Sequence, residues 1–121
     1  MNREQALNSF WNSFGVKAYD ENTVPDDAPI KKLTYETIVN EFGVSTAISV
    51  SIYDRSTSWK SVTDILELID NRLKDGGATV QCDRGIIWLK KGTPFAQRFN
   101  DDTDDTVRRI ILNIEIEYLE V

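Results

Sequence analysis

The chain reads as a single α+β domain, residues 1–121, with two helices packed on one face of an antiparallel sheet in the order α-β-β-α-β-β, plus a possible extra short hairpin strand. Three observations predict this. Apolar residues recur with a 3.6-residue period in two separate segments, they alternate with a two-residue period in several others, and no internal repeat or low-complexity tract interrupts them. At 121 residues the chain is long enough for one core that removes roughly two-thirds of its unfolded surface from water.

Leu7, Phe10, Trp11 and Phe14 form one stripe of a helix from about Asn2 to Phe14, with Asn2 as N-cap and Gly15 just past its end. Residues 16–30, VKAYDENTVPDDAPI, hold two prolines and four acids with only scattered apolar positions, which predicts a long irregular connection. Strand patterns follow over Lys32–Asn40 and Val44–Ile52. The break at Glu41-Phe42-Gly43 predicts a hairpin between them. Trp59, Val62, Ile65, Leu66, Ile69 and Leu73 carry the strongest helical signal, from about Ser58 to Asp75, capped by Thr57 or Ser58 and ended by Gly76-Gly77. Ala78–Cys82 and Gly85–Lys90 read as a short pair joined at Asp83-Arg84, and residues 91–105 as a second irregular stretch. Finally, Arg108–Tyr118 reads as a one-sided strand with Ile110, Leu112, Ile114, Ile116 and Tyr118 on its core face.

Composition narrows the function. The net charge is −6, from 14 basic and 20 acidic residues, which opposes any role that rests on neutralising nucleic-acid phosphates. There is no histidine, so Ser-His triads and imidazole metal ligands are absent together. The lone Cys82 has no intrachain partner for a disulfide and no histidine to activate it, and no cofactor is expected. No apolar run approaches the ~20 residues of a membrane helix, and MNREQALNSFW lacks a signal-peptide core, so the chain is expected to be soluble, unexported and without a membrane partner.

Three charged features invite chemical readings. Asp101, Asp102, Asp104 and Asp105 resemble a hard-cation cluster, but an EF-hand loop begun at Asp101 would place Thr106 and Leu112 where glycine and glutamate are required. Glu115 and Glu117 share one strand face, and the neighbouring positions supply no lysine of the kind a metal-dependent nuclease adds. These acids therefore read as surface or channel-bordering charge. The pairs Lys31-Lys32, Lys90-Lys91 and Arg108-Arg109 are separated in sequence and read as solubilising charge. One feature resists this plain account: Ile86, Ile87, Trp88 and Leu89 are apolar on both strand faces, and Ile111 lies on the otherwise polar face of the last strand. A sheet covered on one side only should be wet on the other, so either a loop or another subunit covers this surface; the subunit is the favoured reading, and these five residues are the candidate subunit interface.

Specific phrases add a resemblance over nearly the whole chain. Gly15-Val16-Lys17-Ala18-Tyr19, Val24-Pro25 and Pro29, Leu33-Thr34-Tyr35-Glu36, the serine-rich second strand, the Trp59 helix ending in Gly76-Gly77, and Gly92-Thr93-Pro94-Phe95 together resemble the tail-terminator or tail-completion (head-tail joining) proteins of long-tailed bacteriophages and prophages. The resemblance implies a non-enzymatic subunit of a hexameric ring, assembled in the bacterial host cytoplasm and resident in the virion tail. Its partners would be further copies of itself, the tail-tube protein and the head connector protein, with DNA only as passing cargo. The alternative from another class is a small ferredoxin-like domain that binds a ligand or a regulatory partner.

Overall fold

The computed structural model describes residues 1–100, 104 and 106–120. Helix α1, Arg3–Trp11, starts where Asn2 Oδ1 accepts the Gln5 N–H at 2.8 Å and Gln5 Oε1 accepts the Asn2 N–H at 3.0 Å, a reciprocal cap. The predicted stripe is buried: Ala6, Leu7, Phe10 and Trp11 lie in the core. The last predicted turn is a separate 3₁₀ turn, Asn12–Phe14, that buries Phe14 and stops at Gly15, whose φ of +78° a side chain would resist.

Seven further elements follow: β1 (Ala18–Asp20), β2 (Lys32–Tyr35), β3 (Ser45–Arg55), α2 (Lys60–Leu73), β4 (Ala78–Cys82), β5 (Gly85–Asn100) and β6 (Val107–Glu120). Among the described residues the strands form one mixed sheet in the order β1-β2-β3-β6-β5-β4. The expected antiparallel sheet in α-β-β-α-β-β order is therefore wrong. β1 pairs parallel with β2 (Ala18 opposite Leu33), while every other pairing is antiparallel. A ferredoxin-like arrangement is absent as well, since it requires helices alternating twice with strands, whereas α1 here precedes the whole sheet.

Each discrepancy has a local cause. β1 is only three residues long, too short to show alternation inside the polar 16–30 segment. β2 ends at Tyr35 and pairs with the far half of β3, Lys32 opposite Tyr53 and Tyr35 opposite Val50, so residues 36–44 form a broad loop instead of a tight turn at Gly43. β5 runs on through the segment read as irregular. It absorbs Gly92 and Pro94 in a bulge between Lys91 and Ala96, on a stretch where β6 is its only strand neighbour.

Helix α2 buries Val62, Ile65, Ile69 and Leu73 over β3, β6 and β5, with Leu66 half-buried and Trp59 just before its first turn. No side chain caps its start at Trp59, although Ser58 Oγ accepts the Lys60 N–H at 3.1 Å. Helix α1 packs against β4 and β1, the two edges of the sheet. Five strand spacings of ~4.8 Å would hold flat edges about 24 Å apart, and a helix is only about 10–12 Å across. The sheet therefore curls around α1. Phe10 and Trp11 meet edge to face at 4.9 Å, Phe10 and Phe14 at 5.3 Å, and Trp11 stacks over Tyr35 at 6.4 Å, filling the concave side.

Trp11 is fully buried at the centre of that filling, so Trp11→Ala is expected to lower unfolding free energy by about 3–5 kcal/mol. Half-buried Leu66→Ala should cost less, about 1–2 kcal/mol. Urea titration of both variants checks the order. A Trp11→Ala midpoint equal to wild type would show that α1 does not hold the curl.

Candidate functional site: the open face of the sheet

The face away from the helices is built by alternation and cross-strand register. On β6, Arg109, Ile111, Asn113, Glu115, Glu117 and Leu119 point outward between the core residues Ile110, Leu112, Ile114, Ile116 and Tyr118. Register then sorts this face into an apolar corner, a polar middle and a cation–aromatic end.

The apolar corner lies beside β4. Ile86 sits opposite Leu119, and Trp88 sits opposite Glu117 on one side and Thr79 on the other. Ile86, Trp88 and Leu119 are all half-buried. The Trp88 indole N–H donates to the Gly76 carbonyl at 2.8 Å, and the Lys90 ammonium lies 4.1 Å from its ring centroid. Gly77 makes this seat possible: at φ +95°, a Cβ there would stand 2.2 Å from the Leu89 carbonyl oxygen and 3.1 Å from Trp88 Nε1. Gly76-Gly77 thus both ends the helix region and admits the indole.

Of the five residues expected at an interface, Ile86, Trp88 and Ile111 face outward, Ile111 between Gln97 and Ser51. Ile87 and Leu89 do not. Both are 0% exposed on the helix-covered face, so no partner can reach them, and this part of the expectation is corrected. The run is apolar on both faces because one half is core and the other half is the corner.

The acids among the described residues are not gathered. Glu115 is exposed opposite Lys90 and Ala47, and Glu117 lies between Trp88 and Ser45. Asp104 precedes the other end of β6, more than eight strand residues, or roughly 26 Å, from Glu115. Asp101, Asp102 and Asp105 lie outside the described residues. Asp104 serves its own loop: it accepts from the Thr106 hydroxyl at 2.6 Å and N–H at 3.0 Å, and pairs with Arg55 Nη1 at 2.5 Å. Those Thr106 hydrogen bonds, followed by the Arg55 guanidinium, hold its carboxyl at about 2 instead of the ordinary 3.8. Among the described residues no group of three or more Cys, Asp or Glu side chains is placed to hold a metal.

The cation–aromatic end was missed in the sequence. Phe99, Arg109, Tyr53 and Lys32 occupy one row across four strands, each directly opposite the next. Arg109 donates from Nε and Nη2 to Ser51 Oγ at 3.2 and 3.0 Å, while Arg109 and Lys32 lie 5.2 and 4.6 Å from the Tyr53 ring. Lys32 and Arg109 are 77 positions apart in the chain, and only the register of β3 with β2 and β6 brings them to one ring. On the opposite side of the molecule, α1 and β1 border a polar groove of about 940 Å³. There Asp20 accepts from the Thr37 hydroxyl, and the Tyr35 hydroxyl accepts from Asn8 Nδ2 at 2.9 Å. Burial raises the Tyr35 pKa above its ordinary range.

No protein-family model, no curated protein and no solved structure matches this chain. No helix among the described residues is long and apolar enough to cross a membrane.

Asp104 generates a pH dependence of known sign. Its carboxyl titrates lower in the folded protein, so its contribution is complete above the ordinary value of 3.8 and disappears as pH falls through about 2. Thermal melts of wild type and Asp104→Asn are expected to differ at neutral pH and to converge as pH drops from 4 toward 2. A gap that stays constant across this range contradicts the assignment.

Proposed function

We propose that the chain is a non-catalytic assembly subunit, a ring-forming tail-terminator-type protein that closes a phage or prophage tail tube and joins it to the head connector. The observation that carries the reading is the apolar corner of Ile86, Trp88 and Leu119 on a sheet face that a lone subunit leaves to water. An oriented tryptophan, fixed through its N–H and framed by polar groups, is the kind of anchor on which protein interfaces concentrate their binding energy. Glu117 and Lys90 border the corner and form its polar rim. The sequence resemblance supplies the identity of the assembly, and the corner supplies the surface.

In this reading Ile86, Trp88 and Ile111 meet the neighbouring subunit, and Glu115 and Glu117 edge the contact instead of lining a channel with Asp104, which precedes the other end of β6. DNA passes without being held, in keeping with a net charge of −6. The partners are other copies, the tail-tube protein and the head connector protein. The place of action is the virion tail, after assembly in the bacterial cytoplasm.

Native mass spectrometry across a concentration series, with the chain alone and with tail-tube protein, is expected to give a closed ring of hexamer size. Trp88→Ala should weaken that assembly by about tenfold or more while leaving the monomer folded. Monomers under both conditions, or a Trp88→Ala ring of wild-type affinity, would contradict the proposal.

A further inference from the structure

The polar groove bordered by α1 and β1 plays no part in the proposed assembly. Its volume of about 940 Å³ falls at the upper end of the roughly 300–1,000 Å³ range in which proteins hold small ligands. One wall is two turns of α1, where Glu4 and Asn8, and likewise Gln5 and Ser9, stand four residues apart on one side of the helix. The other wall is Asp20, Asn22 and Thr23, at and just beyond the end of β1. Between the walls, Tyr35, itself only 3% exposed, reaches the groove at the end of β2, with Thr37 two residues on.

These walls are held in place by the chain itself. The Asp20 carboxylate accepts the Thr37 hydroxyl and the Asn22 N–H, the latter at 2.9 Å, and the Asp20 carbonyl accepts the Thr23 N–H at 3.0 Å. Asn8 Nδ2, donating to the Tyr35 oxygen at 2.9 Å, ties the helix wall to β2. A ligand that enters therefore meets a preformed surface and has little side-chain freedom to remove.

The groups left over define the ligand. Among the described residues, no protein group takes up the Glu4 carboxylate, the Ser9 hydroxyl, the Asn22 side-chain amide or the Gln5 amide N–H groups. The Tyr35 oxygen accepts from Asn8, but its own O–H finds no acceptor. Burial, with Asp20 and Glu4 nearby, raises the Tyr35 pKa, so this O–H stays a donor at neutral pH. The Met1 ammonium on the groove wall is already held by Asp83 at 3.2 Å. Unused donors and unused acceptors thus face one space. A cation brings donors only and would leave Tyr35, Ser9 and Gln5 unmatched. An anion would be repelled by Glu4 and Asp20. A hydroxyl group donates and accepts at one atom, so a row of hydroxyls matches both sets.

We propose that this groove binds a neutral saccharide, with the Glu4 and Asp20 carboxylates accepting from sugar hydroxyls and the Tyr35 O–H donating to a sugar oxygen. The inference does not depend on the phage reading.

The test titrates the full ¹⁵N-labelled chain with maltotriose, cellotriose and tri-N-acetylchitotriose, each to about 20 mM, enough to saturate a site with a ~1 mM dissociation constant. At least one sugar is expected to give saturable amide shifts at Asn8, Ser9, Asn22 and Thr37 and to leave the Trp88 indole N–H unmoved. Tyr35→Phe removes one oxygen, and Glu4→Gln removes one charge at an exposed position. Each should raise the dissociation constant at least about threefold, while Glu117→Gln on the open sheet face should not change it. The absence of saturable groove shifts with all three sugars would overturn the proposal. So would sugar binding that neither Tyr35→Phe nor Glu4→Gln weakens. Spermidine shifting the same amides where the sugars do not would make the groove a cation site and overturn it as well. A chain that binds sugar but forms no ring leaves this proposal standing and overturns the ring alone.

Discussion

Helix α1 touches both edges of a six-stranded sheet, and strand spacing allows that contact only when the sheet bends around the helix. Most of the structure can be understood from this constraint. The concave side must be filled by large side chains, which is why Phe10, Trp11 and Phe14 fall on one stripe and meet Tyr35 from β2. The helix must also start and stop within a short distance, which the Asn2–Gln5 cap and the positive φ of Gly15 provide. Just before Gly15, Asn12 leaves the α-helix and turns its amide onto Ala18, so the element that curls the sheet also seals one of its edges.

On the convex side, residues alternate outward without a second layer to cover them. Most are serine, threonine, asparagine or charged, as a wet face requires. The departures cluster by register. Ile86, Trp88 and Leu119 meet at one corner, while Lys32, Tyr53, Arg109 and Phe99 form a row at the other end. Trp88 is held by a hydrogen bond to a backbone that only glycine can bring so close, and a side chain fixed before binding loses little freedom when a partner arrives. The uncharged strand β4 flanks this corner through the pairing of Thr79 with Trp88.

Much of this was legible in the sequence wherever a pattern ran long enough to have a period. The α2 stripe from Val62 to Leu73 and the alternation from Ile110 to Tyr118 lie where they were expected. β1 was not legible, because three residues cannot display a period and its parallel partner lies across a polar loop. The far half of β5 was hidden by Gly92 and Pro94, which mark loops in general but here occupy a bulge. At the candidate site, the sequence exposed the doubly apolar run at Ile86–Leu89 and could not show which half the helices cover. It could not show the Lys32–Tyr53–Arg109 row either, because cross-strand neighbours are fixed by register and not by proximity in the chain.

The central claim is that α1 holds the curl of the sheet and, through Asn12, closes its β1 edge. Residue-resolved amide hydrogen exchange on wild type and on Trp11→Ala tests it directly. The Ala18 amide, held by Asn12, is expected to exchange slowly in wild type and markedly faster in Trp11→Ala, where the filling between α1 and the sheet is lost. A fast Ala18 amide in wild type, or one whose protection Trp11→Ala leaves unchanged, would contradict the account.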